Sequence, residues 1–155
     1  MVSALDEIDR AILGALQARG KLSSQELAEA TGQSSPATCW RRLKSLEEAG
    51  YITGYQAVLD RRMLGFNVCA FVDISIERQY KETVIEIEKK ILERPEVMEC
   101  YATTGDSDFT LRVIAKDIDD YDRFIQKFLF ELPGVSHVRS RIALREIKQT
   151  TRAPI

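Results

Sequence analysis

The stretch S-S-P-A-T-C-W-R-R-L-K-S-L-E-E-A-G, residues Ser34 to Gly50, decides how the rest of the chain is read. Ser35 is suited to cap a helix, Pro36 stands at the first helical position where a missing N–H costs nothing, and Gly50 can close the end in a left-handed conformation. Cys39, Leu43 and Leu46 recur at i, i+4 and i+7 and form one apolar stripe. Thr38, Arg41, Arg42 and Ser45 point away from that stripe, and Trp40 and Lys44 flank it. One face therefore suits a core and the other something negatively charged. Short polar groups near the start, with arginines one turn later, suit the major groove of DNA, where such groups reach base edges and phosphates. An ordinary amphipathic helix with a solvated basic face fits the same pattern.

Upstream of this helix the punctuation repeats. Ser23-x-x-Glu26 is a capping box that opens a short helix carrying Leu27 and Ala28 and ending near Thr31-Gly32. Asp6 followed by Asp9 is a similar arrangement with a shorter acid, and Ile8, Ile12, Ala15 and Leu16 then predict a helix over about 7–18. The second and third helices are separated by a turn of about four residues containing a glycine, which is the spacing of a helix-turn-helix with the third helix in the reading position.

Downstream the composition changes. Tyr51 to Leu59 is β-branched and aromatic around Gly54 and reads as one or two short strands, and Asp60-Arg61-Arg62 reads as a solvated turn. The predicted division is a DNA-binding domain over 1–52, a hinge strand and linker over 53–66, and a second domain over 67–155. In that second domain the pattern is strand (Val68 to Ile76), helix (Lys81 to Arg94, stopped by Pro95), strand (Val97 to Thr104), strand (Asp108 to Ala115), helix (Ile118 to Leu132) and strand (Ser136 to Ile147). The order βαββαβ is the ferredoxin-like arrangement, an antiparallel sheet with both helices on one face. The bare face calls for a cover, and a second copy packed sheet to sheet would supply it.

Composition narrows the class. The chain has 155 residues, 45% of them apolar and 30% charged, as in ordinary globular proteins. A net charge of −2 and a pI near 5.6 do not fit a nonspecific nucleic-acid coat. The cations of residues 1–60 are Arg10, Arg19, Lys21, Arg41, Arg42 and Lys44, and the last three lie within four residues. DNA affinity therefore has to come from local clustering multiplied by oligomerisation. Cys39, Cys69 and Cys100 are widely spaced in apolar surroundings and read as small buried hydrophobes of a reducing cytosol. A lone histidine, His137, argues against a His-based metal site. The acidic start M-V-S-A-L-D-E-I-D-R does not fit a signal peptide, and no apolar run approaches the length of a membrane span. The expectation is a cytoplasmic protein that engages no membrane.

Several short motifs occur in order: L-D-E-I-D-R-A-I-L at the start, E-L-A, C-W-R-R-L-K-S-L-E-E-A-G-Y-I-T-G-Y, T-T-G-D-S-D-F, L-P-G-V, and A-L-R-E-I-K-Q-T near the end. On these motifs the chain resembles the Lrp/AsnC, or feast/famine, transcription regulators over nearly its whole length. The resemblance implies an α+β protein, with an N-terminal helix-turn-helix (winged-helix-like) domain and a C-terminal ferredoxin-like βαββαβ domain that dimerises and senses an amino acid or related metabolite. It also implies double-stranded DNA as partner, homodimers assembling to tetramers or octamers, no cofactor and no catalysis. The DNA-binding candidates are Ser34, Ser35, Thr38, Trp40, Arg41, Arg42, Lys44 and Ser45, with Arg42 on a phosphate or bracing the domain and Trp40 either on DNA or packed against a neighbouring subunit or the hinge. Thr104, Gly105, Asp106, Asp108 and Ser140 are the effector-binding candidates: Gly105 permits a tight path with exposed amides for a carboxylate, and Asp108 can hold an ammonium group, although a plain β-hairpin whose aspartates favour turn geometry fits the same loop residues. The turn Gly32-Gln33-Ser34-Ser35 departs from the family's usual G-L-S-P, and Val138 stands where a threonine is frequent.

Two other functions fit the same architecture. Sirohaem decarboxylases look like these regulators, and that likeness implies a site of histidines with basic residues; here only His137, beside Arg139 and Arg141, would serve. A metabolite sensor without DNA binding is the other, and Arg41, Arg42 and Lys44 argue against it.

Overall fold

The computed structural model describes residues 5–77 and 81–155. Backbone contacts divide the chain into two units, one running to Leu59 and including Lys148–Ile155, the other Asp60–Ile147. The division thus falls between Leu59 and Asp60, and the last eight residues join the first unit.

In the first unit, α1 (Glu7–Arg19) begins with a reciprocal cap: the Asp9 N–H donates to the Asp6 carboxylate at 2.8 Å and the Asp6 N–H donates back to Asp9 at 3.3 Å. The helix α2 (Ser24–Thr31) starts the same way, with Ser23 and Glu26 exchanging bonds. At its end Gly32 takes φ +66°, a left-handed conformation, and the Gln33 N–H reaches the Ala28 carbonyl at 2.9 Å. That closure leaves Ser35 free to cap α3 (Pro36–Glu48), accepting from the Thr38 N–H at 3.3 Å. The three helices bury Ile12, Leu16, Leu27, Ala28, Cys39, Leu43 and Leu46 against one another. Burying each such Leu or Ile contributes about 1.5–3 kcal/mol.

The segment from Tyr51 to Leu59 departs from expectation, since it forms no strand among the described residues. A strand exists only as part of a ladder, and the four strands described in this chain pair only with one another. Tyr55 instead anchors the segment by donating its hydroxyl proton to Glu47 at 3.0 Å.

The second unit is built on β1 (Val68–Ile76), α4 (Lys81–Leu92), β2 (Val97–Ala102), β3 (Phe109–Ala115), α5 (Ile118–Phe124) and β4 (Val135–Ile142). The strands form one sheet in the order β2-β3-β1-β4, and every pair is antiparallel. Val68, Ala70, Val72 and Ile74 of β1 and Phe109, Leu111, Val113 and Ala115 of β3 alternate onto one face. There they are packed with Ile87 and Ile91 of α4 and with Tyr121 and Phe124 of α5.

Three local expectations are corrected. The helix predicted over Ile118 to Leu132 does not stay α-helical: Ile125–Leu129 form a π-helical turn, in which the Phe130 N–H bonds to the Ile125 carbonyl five residues back. The wider turn sends Phe128 and Leu129 into the core, with the Phe128 ring 5.2 Å from that of Phe124. The last strand ends at Ile142 rather than Ile147: its pairing with β1 runs to Ala70–Ile142, with one further bond from the Ala143 N–H to the Cys69 carbonyl, near the start of β1 at Val68. Cys39 and Cys69 are buried as expected, but Cys100 is exposed as a residue on the edge strand β2, and partial desolvation of its thiol, with the nearby Glu88 charge, raises the pKa. No helix among the described residues is long and apolar enough to cross a membrane.

Candidate nucleic-acid interface and effector cavity

On α3 the candidates separate into two groups. Ser35, Thr38 and Arg42 are occupied inside the unit. The Ser35 hydroxyl accepts from both the N–H and the hydroxyl of Thr38, the latter at 3.2 Å. Arg42 donates to Asp6 at 2.7 Å and to Asp9 at 2.8 Å, so it clamps α3 to the capped start of α1. The two carboxylates, Asp9 first, raise the Arg42 pKa further. The Asp9 backbone N–H, and after it the Arg42 guanidinium, hold Asp6 below the usual carboxylate range.

The second group faces outward. Ser34, Trp40, Arg41, Lys44 and Ser45 are exposed. The Arg41 guanidinium has no hydrogen-bond or ion-pair partner among the described residues. Lys44 holds its ammonium 4.8 Å from the Trp40 ring centre and also pairs with Glu47 at 2.8 Å. Glu47 is kept below its ordinary range by the Lys44 hydrogen bond and then by the Tyr55 hydroxyl. Tyr55 is itself pushed up to about 12 by burial and by the Glu47 carboxylate.

The hairpin between β2 and β3 is latched to the end of β1. The Asp108 N–H donates to the Ile74 carbonyl and the Ile76 N–H to the Asp108 carboxylate, both at 2.9 Å. Ser75 donates to the Asp106 carbonyl at 3.0 Å, and Thr103 donates to the Ser107 carbonyl at 2.9 Å. Gly105 turns the loop with φ +111°, a conformation that side-chain-bearing residues rarely adopt. A cavity of about 340 Å³ opens beside this loop, lined by Asp73, Ser75, Asp106, Ser107, His137 and Arg139.

Of the effector candidates, only Asp106 lines the cavity. Thr104 and Gly105 carry it in the loop, and Asp108 is spent on the latch. Ser140 lies on the other side of the sheet: it pairs in register with core residue Val72 and accepts a hydrogen bond from the Tyr121 hydroxyl at 2.7 Å. Asp73, Ser75, Ser107, His137 and Arg139 were absent from the sequence-derived set. Strand alternation is the signal that finds all but the loop residue Ser107, because the neighbours of Val72, Ile74 and Val138 must face away from the helices. Asp73 is held in place by Thr110 and Arg141, both at 2.8 Å. Among the described residues neither the Asp106 carboxylate nor the Arg139 guanidinium has an ion-pair partner.

Two family models match the chain. The family model described as the Lrp/AsnC ligand binding domain matches residues 69–153, and that of a winged helix-turn-helix DNA-binding domain matches residues 5–53. The chain belongs to the Lrp/AsnC family. The Bkd operon transcriptional regulator of Pseudomonas aeruginosa is 38% identical over 99% of this chain and 100% of its own length. The Escherichia coli leucine-responsive regulatory protein is 34% identical over 97% of this chain and 92% of its own. Among solved structures, a transcriptional regulator of Neisseria meningitidis in complex with L-methionine superposes with a TM-score of 0.93 at 36% identity, covering 97% of both chains. Escherichia coli AsnC superposes at 0.86 with 26% identity, over 97% of this chain and 99% of that one. As a member of this family the protein is a DNA-binding transcriptional regulator with a ligand-binding domain.

Proposed function

We propose that this regulator is a cytoplasmic, sequence-specific protein that binds double-stranded DNA through α3 and a free amino acid through the cavity beside the β2–β3 hairpin. The observation that carries the effector reading is the pair of opposite charges lining one cavity, Asp106 and Arg139, neither with an ion-pair partner among the described residues. An α-amino acid carries both complementary groups: its carboxylate meets the guanidinium and its ammonium the carboxylate. The methionine named in the Neisseria relative's structure supports the same ligand class. Thr104 and Gly105 shape the loop, Asp108 holds it to β1, and Ser140 acts from the far side of the sheet by fixing β4 to α5 through Tyr121.

On the DNA side, Ser34, Trp40, Arg41, Lys44 and Ser45 form the contact surface. Ser35, Thr38 and Arg42 set the helix's cap and its seat on α1. The protein acts as a homodimer that assembles further to a tetramer or octamer. A second copy covers the sheet face opposite the helices, where Phe71 stands 40% exposed among the Asp73–Arg141 and Glu99–Arg112 ion pairs. Regulation follows when the amino acid binds one assembly better than another.

The experiment is a thermal-shift screen against the twenty amino acids, with sedimentation of any hit. One amino acid should raise the Tm by mass action, by about 2.7 kcal/mol of stabilisation at a hundred times its Kd. Asp106→Asn and Arg139→Ala should each abolish that shift. A shift that survives both substitutions, or none with any amino acid, overturns the effector assignment.

A further inference from the structure

Trp40 is 51% exposed, although Cys39, Leu43 and Leu46 of the same helix are all at or below 5%. It takes no part in the core of its unit. Its ring is nonetheless held. Lys44 lies against the ring at 4.8 Å, Glu47 fixes Lys44 at 2.8 Å, and Tyr55 fixes Glu47 at 3.0 Å. A large apolar surface presented to solvent in a set orientation, between the exposed Ala37 and Arg41, is arranged for contact rather than for stability. It occupies the second turn of α3, the part of a reading helix that meets base edges.

The major-groove edges of the four base pairs offer hydrogen-bond donors and acceptors everywhere, and one apolar group, the C5-methyl of thymine. An indole presents carbon along most of its rim. We propose that Trp40 is a specificity-determining residue that packs against a thymine methyl in the major groove, with Lys44 as the residue that positions the ring. This rests on the reading of α3 as the DNA-contacting helix, and it adds the base and the chemical group that are recognised.

The test begins with duplexes enriched by the full-length protein from a random-sequence pool. In the resulting consensus each thymidine is replaced in turn by deoxyuridine, which deletes the methyl group alone. Replacement at one position in each half-site should weaken binding of the unaltered protein about five- to tenfold. Trp40→Ala should bind the thymidine and deoxyuridine duplexes equally, Trp40→Phe should keep part of the preference, and Arg41→Ala should weaken both and keep their ratio. Indifference of the unaltered protein to every replacement overturns the proposal, and that arm requires no variant to fold. Retention of the preference by Trp40→Ala also overturns it. So does a change of assembly mass in Trp40→Ala with the preference intact, which would make the ring a contact between subunits. A pool that yields no consensus would overturn sequence-specific binding itself, a separate failure from a consensus blind to the methyl group.

Discussion

Arg42 of α3 uses a single nitrogen, Nη1, to bond both capping carboxylates of α1, Asp6 at 2.7 Å and Asp9 at 2.8 Å. The cap of one helix is therefore also the clamp on another. Because Asp6 is held below the usual carboxylate range, the stability it contributes is complete above its unfolded pKa, about 4, and is lost as pH falls through its folded value. The single tryptophan lies in this unit, so its fluorescence follows the unit's melting. The expected result is a Tm that falls on acidification below about pH 4, with a shallower fall in Asp6→Asn. Arg42→Ala should lower the Tm by a few degrees at neutral pH.

The two adjacent arginines should differ on DNA. Arg41 is exposed, without a hydrogen-bond or ion-pair partner among the described residues, whereas Arg42 is occupied by its carboxylates. Each phosphate contact removed lowers the slope of log affinity against log salt by about one. Arg41→Ala should reduce that slope by about one per subunit engaged, measured by fluorescence anisotropy over a range of salt. Arg42→Ala, assayed well below its melting temperature, should leave the slope unchanged.

Tyr55 marks the alkaline limit of the same unit. Its pKa is pushed up to about 12, above the ordinary value near 10, by burial and the Glu47 carboxylate. The stability linked to it is present below pH 10 and is lost as pH rises from there through 12. Burial raises Tyr121 as well, so tyrosinate absorbance should show more than one tyrosine ionising late, and Tyr55→Phe should remove its own share of that late step together with the matching part of the Tm loss.

The carboxamide of Gln17 exchanges two hydrogen bonds with the backbone of Ala153, donating to its carbonyl at 3.1 Å and accepting from its N–H. Arg152 adds a bond to the Ala18 carbonyl at 3.2 Å. Gln17→Ala removes the paired bonds together, and a hydrogen bond contributes about 0.5–1.5 kcal/mol net. Cleavage by trypsin after Arg152 under native conditions should then accelerate about fivefold or more, since such cleavage tracks the open population. An unchanged rate would show that the pairing does not restrain the chain end.

Local chemistry accounts for what the sequence by itself determined. The caps at Asp6, Ser23 and Ser35, the stripe Cys39-Leu43-Leu46, the turn at Gly32 and the βαββαβ order all depend on residues a few positions apart, so spacing alone discloses them. The motifs carried the family for the same reason. What only the tertiary structure decided depends on residues far apart in the chain. Arg42 meets Asp9 because α3 packs on α1, and a basic residue on a polar face does not announce whether it faces DNA or a carboxylate. Ser140 sits on the helix side of β4, and Arg139 on the cavity side, because register against β1 sets which way the alternation runs. Tyr51 to Leu59 has the composition of a strand but pairs with none of the four strands among the described residues, and a backbone ladder, not side-chain preference, makes a strand. The cavity proposed for the effector joins Asp73, Asp106 and Arg139 from two strands and a loop, a meeting that only the folded sheet brings about.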